Sequence, residues 1–240
     1  MIGFQPSRPR AENVSFTGGC QSEQFGKRQQ DCAPVRWGGL ACDIGRQAQP
    51  QSADRTSCND WRPTINADVI TLGGGCFWCI EAVFEQVDGV LSVQSGYCNG
   101  QTRDPSYEQV CDGVTGHAEV VRVQFDRDRI SLREVLEIFF VVHDPSTLNR
   151  QGNDVGTQYR SGIYWHNPDQ EAVVREVVAE VDAVLGGGVV TELAAEANYW
   201  PAEDYHQHYF ANHPGQGYCA YVVAPKVEKF KKTFSSRVRC

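Results

Sequence analysis

The stretch "GGGCFWCIEAVF", residues 73–84, constrains this chain more than any other. The preceding "ADVITLG" reads as a short buried strand that runs through the glycines into a helix. In that helix Phe77, Ile80, Phe84 and Val87 recur at spacings of three and four, so one apolar stripe is expected from about Cys76 to Val87. Cys76 then sits in the first helical turn, where unpaired N–H groups and the helix dipole favour negative charge. A free thiol titrates near ~8.5, and such positions lower that by ~1 unit or more. Cys76 is therefore expected to be a nucleophile near neutral pH rather than a small buried hydrophobe, the ordinary fate of a cysteine.

Other readings of the motif are weaker. A phosphate-binding G-x-G-x-x-G counted from Gly73 fails at its sixth position, which is Trp78. Cys76-x-x-Cys79 fits a zinc half-site or an exchanging dithiol, yet no second C-x-x-C follows. His206, His208 and His213 could supply nitrogen ligands, though they read more simply as covering a polar C-terminal helix.

Beyond the motif, strands and helices interleave. "HAEVVRVQF", residues 117–125, alternates apolar Val121, Val123 and Phe125 with Arg122 and Gln124, as a half-buried strand does, and Glu119 falls on the apolar side. Ser131 with Glu134 forms a capping box before "VLEIFFVV", a helix that ends at "HDP", residues 143–145. "QYRSGIYW" reads as another strand. Asn167 and Pro168 open a third helix that glycines 186–188 terminate. The expected fold class is α/β, an α+β two-layer sandwich with a ferredoxin-like core and a mixed, mainly antiparallel sheet, in one catalytic domain over 66–240.

Residues 1–65 read differently. Only six are Ile, Leu or Val, against eight Gln, five Pro and seven Gly, too little apolar material to offset chain entropy, so a disordered tail is expected. Its cysteines at 20, 32, 42 and 58 read as incidental thiols, and its scattered acids argue against a transit peptide. With 22 Lys+Arg against 30 Asp+Glu there is no basic footprint for nucleic acid. The longest uncharged run near the motif, Val69 to Ile80, is shorter than the roughly 18 apolar residues of a membrane span, and no secretory signal opens the chain. Ten cysteines in a chain of this length then point to reduced thiols in a cytoplasm.

The stretch "GGGCFWC" resembles the signature of the peptide methionine sulfoxide reductases of the A type, in which G-C-F-W opens the catalytic helix. "GYCNGQTRDPSYEQVCDGVTGHAEVVRVQFD" and "HDPSTLNRQGNDVGTQYRSGIYW" resemble further blocks of that family in the same order. Together the likeness covers most of residues 67–225. It implies thiol-dependent reduction of methionine S-sulfoxide, free or in proteins, to methionine. Cys76 would attack the sulfoxide sulfur and Glu119 would protonate its oxygen. Tyr107 and Tyr159 would hydrogen-bond that oxygen, Phe77 and Trp78 would receive the S-methyl group, and Asp154 would position the substrate.

The resemblance leaves a sulfenic acid on Cys76 that a second thiol converts to a disulfide. Cys219 in "HPGQGYCAYVV" resembles the C-terminal resolving cysteine, on a segment expected to be flexible; Cys79 and Cys240 remain alternatives, and Cys98 and Cys111 read as structural. Thioredoxin is the implied reductant of a monomer, with no metal or organic cofactor. Two rivals stand beside this reading: a thiol–disulfide oxidoreductase using Cys76 and Cys79, and a zinc-binding interaction protein.

Overall fold

The computed structural model describes residues 66–239. The tail expected over 1–65, with Cys20, Cys32, Cys42 and Cys58, lies outside them, as does Cys240. In chain order the elements are β1 (Ala67–Gly74), α1 (Phe77–Phe84), β2 (Val90–Cys98), α2 (Tyr107–Cys111), β3 (Ala118–Asp126) and α3 (Leu132–Val142). A small hairpin follows, β4 (Arg150–Gln151) and β5 (Asp154–Val155), and then a 3-10 turn over Thr157–Tyr159. The remainder is β6 (Ser161–Trp165), α4 (Pro168–Leu185), β7 (Glu192–Ala195), β8 (Trp200–Pro201), α5 (Tyr209–Asn212), a π-helical turn Cys219–Val223 and α6 (Ala224–Thr233).

Six strands form one sheet in the order β7-β6-β1-β3-β2-β8. All neighbours are antiparallel except β6 and β7, so the sheet is mixed and mainly antiparallel, as expected. Period-two alternation sends Ile70 and Leu72 of β1, Val93 of β2 and Val121, Val123 and Phe125 of β3 into one core with side chains of α1, α3 and α6. On the opposite face Cys98, Ala118, Val120 and Tyr164 form a smaller cluster with Ala194 and Tyr199 against it. There the Arg122 guanidinium lies 3.5 Å from the centroid of the Tyr199 ring and 2.5 Å from a Glu196 carboxylate oxygen.

The helix boundaries follow the capping signals. Ser131 accepts from the Glu134 N–H while the Glu134 carboxylate accepts from the Ser131 N–H, and both bonds together hold the start of α3. Asn167 accepts from the Gln170 N–H at 3.1 Å, and α4 ends on Gly186 in the left-handed conformation. "QYRSGIYW" splits into the 3-10 turn and a shorter strand, β6.

Helix α1 departs furthest from its expected pattern. Instead of one apolar stripe it is buried nearly all round, with only Trp78 half-buried, because sheet, α3, α6 and the C-terminal segment enclose it. Glu81 in its middle is also fully buried. Its two carboxylate oxygens accept from the Ser95 hydroxyl at 3.2 Å, the His208 N–H at 2.9 Å and the Tyr209 N–H at 3.1 Å. A buried carboxylate with three donors is tolerable; without it the donors are orphaned. Glu81→Ala is therefore expected to lower stability by about 3 kcal/mol in urea unfolding, and unchanged stability would show that the segment at 208–209 is held by other contacts.

Candidate active site

Register brings the site together. β1 pairs with β3 from Ala67↔Asp126 to Leu72↔Val121, so two residues further on the end of β1 lies level with Glu119 at the start of β3. The backbone crosses that place on glycines. A Cβ on Gly74 would lie 2.9 Å from both Ile80 and Phe139, and one on Gly75 would lie 2.5 Å from the Cβ of Gln151 in β4. Gly75 also has φ +88°, a conformation that side chains disfavour. The glycines thus serve close packing of the turn against α3 and the β4–β5 hairpin.

Cys76 is the residue preceding α1, with non-helical backbone angles, and is 8 % exposed. Its side chain makes no capping bond to the helix. The Phe77 N–H that a thiolate there would attract instead donates to Glu119 Oε2 at 3.1 Å. Burial, and then the neighbouring Cys79 sulfur, push the Cys76 thiol above the ordinary thiol range, opposite to the lowering that the helix terminus suggests. With the Phe77 N–H taken by the carboxyl, that donor does not offset the desolvation of the sulfur.

Cys79 is fully buried one turn on, its N–H bonded to the Cys76 carbonyl at 3.1 Å. The neighbouring Cys76 lowers the Cys79 pKa to about 7 against the effect of burial; the charge of Lys226 and the Tyr218 hydroxyl act in the same direction. Of the two thiols Cys79 is thus the more readily ionised. Cys76→Ala removes the first of these causes, so the Cys79 thiol should titrate at higher pH in that variant, read by the pH dependence of alkylation. An unmoved or lowered titration would show that the two thiols do not share a proton.

Glu119 is 1 % exposed, and burial pushes its pKa up to about 8, opposed by the Phe77 N–H and aided by Asp154 and Cys79. It holds a proton at neutral pH. Tyr107, at the start of α2, and Tyr159, in the 3-10 turn, are half-buried; burial and then the Glu119 charge raise both phenols, so both remain donors. Asp154 in β5 is raised by burial, against a hydrogen bond from the Tyr218 hydroxyl at 2.7 Å.

Aromatic rings wall the site. Phe77 is buried against Tyr97, Tyr107 and His206, with centroids 5.9, 6.4 and 5.0 Å away. Trp78 stacks on Tyr209 at 3.7 Å and 7°, with Tyr218 edge-on at 6.0 Å. Among the described residues the buried Trp78 Nε1 and both ring nitrogens of His206 have no hydrogen-bond partner, the Glu203 carboxylate lying 3.9 Å from His206 Nε2. Burial lowers the His206 pKa to about 4, so the ring is neutral.

The structure thus brings Cys76, Cys79, Glu119, Tyr107, Tyr159, Phe77, Trp78 and Asp154 to one region. Cys219 differs from its expected setting: it is fully buried in the π-helical turn, not carried on an open segment, because its turn packs under α6 in the same core. The histidines disperse: His206 packs on Phe77, His208 pairs with Glu85, and His213 stacks on Tyr209. Among the described residues the grouping of three with metal-ligand reach is Glu81, Glu85 and His208. Three side chains escaped the sequence reading: Tyr209 on Trp78, Tyr218 on Asp154, and Glu203, which accepts from the Tyr97 hydroxyl and the Tyr107 N–H. For Glu203 and Tyr209 the density of aromatic, acidic and histidine residues in "AEDYHQHYF" was the available signal.

A sequence model of the family described as peptide methionine sulfoxide reductase matches residues 68–238. The chain belongs to that family. It is 56% identical to peptide methionine sulfoxide reductase MsrA of Polynucleobacter asymbioticus over 170 residues, which is 70% of this chain and 90% of that protein. The corresponding figures for MsrA of Saccharolobus solfataricus are 54% over 172 residues, 72% and 97%. Among solved structures, methionine sulfoxide reductase A of Corynebacterium diphtheriae matches with TM-score 0.61 at 36% identity, covering 67% of this chain and 80% of that one. Reduced Mxr1 of Saccharomyces cerevisiae matches with TM-score 0.60 at 34% identity, covering 64% and 90%. The enzyme is a peptide-methionine (S)-S-oxide reductase, converting methionine S-sulfoxide to methionine through thiol chemistry. Among the described residues no helix is long and apolar enough to cross a membrane.

In this reductase the buried Glu119 gives a signed pH effect on stability. An unfolded glutamate titrates near ~4.3 and the folded one near 8, so the wild type loses stability as pH rises through that window. Glu119→Gln lacks the slope and should gain on the wild type by a few kcal/mol between pH 5 and 8.5 in urea unfolding. Parallel stability curves would mean that Glu119 is ionised in the folded protein.

Proposed function

We propose that Cys76 is the nucleophile and Glu119 the acid of this reductase, within a catalytic domain spanning residues 66–240. The observation that carries the assignment is the buried Glu119 carboxyl of β3 bonded to the Phe77 N–H beside Cys76, where burial pushes its pKa up to about 8. A sulfoxide sulfur becomes electrophilic as its oxygen is protonated, so thiolate and proton must act on adjacent atoms of one group. The Cys76 thiolate attacks the sulfoxide sulfur while Glu119 protonates its oxygen. The hydroxyl then passes to the Cys76 sulfur as the transient S–S bond and the substrate's S–O bond break, giving methionine and a sulfenic acid; the sulfoxide gains the two electrons that the thiolate loses.

Tyr107 and Tyr159 are assigned as further donors to the oxygen. Their raised pKa values favour that role, and among the described residues neither hydroxyl has a hydrogen-bond partner. Phe77 and Trp78 are assigned the methyl group, supported by the surrounding rings. Asp154 is assigned to the polar part of the substrate.

Cys79 is the proposed resolving thiol. It lies one turn from Cys76, which lowers its pKa, and the non-helical backbone at Cys76 frees that side chain from the helical rotamers that would separate a C-x-x-C pair. Cys219, raised by burial and then by the Cys79 charge, is the alternative resolver. The resulting disulfide suits reduction by a thioredoxin dithiol, with the enzyme a monomer in a reducing cytoplasm.

The test uses separate S- and R-sulfoxides of a blocked methionine. Cys76→Ser should abolish S-selective reduction with either dithiothreitol or thioredoxin, whereas Cys79→Ser should lose only the thioredoxin-driven reaction. Loss of that reaction in Cys219→Ser but not in Cys79→Ser would transfer the resolving role. Glu119→Gln should reduce turnover about 10²–10⁴-fold, and wild-type turnover should decline above pH 8 as the acid ionises. Full activity in Glu119→Gln would place the proton elsewhere.

A further inference from the structure

Tyr218 lies where the assigned roles of Asp154 and Cys79 meet. It follows the exposed residues Gly215 and Gly217 and directly precedes the π-helical turn. Its hydroxyl donates to Asp154 Oδ2 at 2.7 Å and lies 3.9 Å from Cys79 Sγ, within hydrogen-bonding range for sulfur. Trp78 holds the ring from the edge. A phenol has one proton to donate, so two acceptors at one hydroxyl compete for it.

We propose that Tyr218 is a positioning residue of the resolving step, giving its proton to Asp154 when the site is empty and to the Cys79 sulfur once substrate occupies Asp154. The inference rests on the reading of Cys79 as resolving thiol. While Cys79 is a thiol, it can itself donate to the phenol oxygen, and the Tyr218–Asp154 bond is undisturbed. A thiolate can only accept, so its stabilisation requires the Tyr218 proton to turn away from Asp154. Substrate engaging Asp154 frees that proton, so the resolving thiolate is favoured at the moment a sulfenic acid is about to form.

In the resolving step the Cys79 sulfur attacks the Cys76 sulfenic sulfur. The S–S bond forms, the S–O bond breaks, and the proton lost by Cys79 ends on the departing hydroxyl, which leaves as water. Cys79 is oxidised and the sulfenic sulfur is reduced. The charged and titratable groups around Cys79 are Cys76 ahead of α1, Glu119 of β3, Asp154 of β5, Tyr218 and Cys219 at the π-helical turn, and Lys226 of α6. Lys226 offers a fixed positive charge, whereas Tyr218 offers a donor that another ligand of the site can release.

The experiment is single-turnover chemistry with Tyr218→Phe, which keeps the ring against Trp78 and removes only the hydroxyl. Methionine release is measured apart from the sulfenic acid's lifetime, the latter by trapping with a cyclic dione, across pH 6 to 10. The pH midpoint of disulfide formation should move up by about one unit, with resolution about tenfold slower at neutral pH and recovered at high pH. An unmoved midpoint overturns the proposal. Cys79→Ser separates the two readings: if it still forms the intramolecular disulfide at the wild-type rate, Cys79 is not the resolver and both fall; if it blocks resolution while Tyr218→Phe leaves the midpoint in place, only the role of Tyr218 falls.

Discussion

The Phe77 N–H held by Glu119 is the contact on which the rest of the site depends. It ties the first turn of α1 to the first residues of β3, and so fixes where Cys76 stands relative to the buried acid. It also decides the electrostatics. A helix terminus offers few unpaired donors, and spending one on a carboxyl leaves the adjacent sulfur without it. Burial then keeps both groups neutral: an acid that retains its proton although the Phe77 N–H pulls the other way, and a thiol raised by desolvation.

The C-terminal segment closes this arrangement. Glu81 anchors the backbone at His208 and Tyr209, Tyr209 covers Trp78, and Tyr218 reaches Asp154 and Cys79. One buried carboxylate on α1 therefore positions an aromatic wall for the pocket from more than 120 residues further along the chain. The unpartnered nitrogens of Trp78 and His206 lie within the same wall, where an apolar ring would have cost less.

Much of this was legible in local sequence. Ser131 with Glu134 and Asn167 with Pro168 announce their helices because capping is a contact between residues three apart. Glu119 could be placed on the buried side because strand alternation has a period of two, and Val121, Val123 and Phe125 set its phase. The all-round burial of α1 was not legible, since what covers its outer face is the segment at 206–230, unrelated to it in sequence.

By itself the sequence determined the elements, the turn at Cys76, the side of β3 that carries Glu119 and the family to which the chain belongs. These rest on local periodicity, caps and motifs. Only the tertiary structure decided which donor meets which acceptor: Phe77 N–H with Glu119, Tyr218 with Asp154. It also took Cys219 out of the open loop and placed it in the core. The physical reason is that a thiol's charge and a carboxyl's proton depend on desolvation and on neighbours within a few ångströms, and those neighbours come from β3, β5 and the C-terminal helices, which only the packed chain brings to α1.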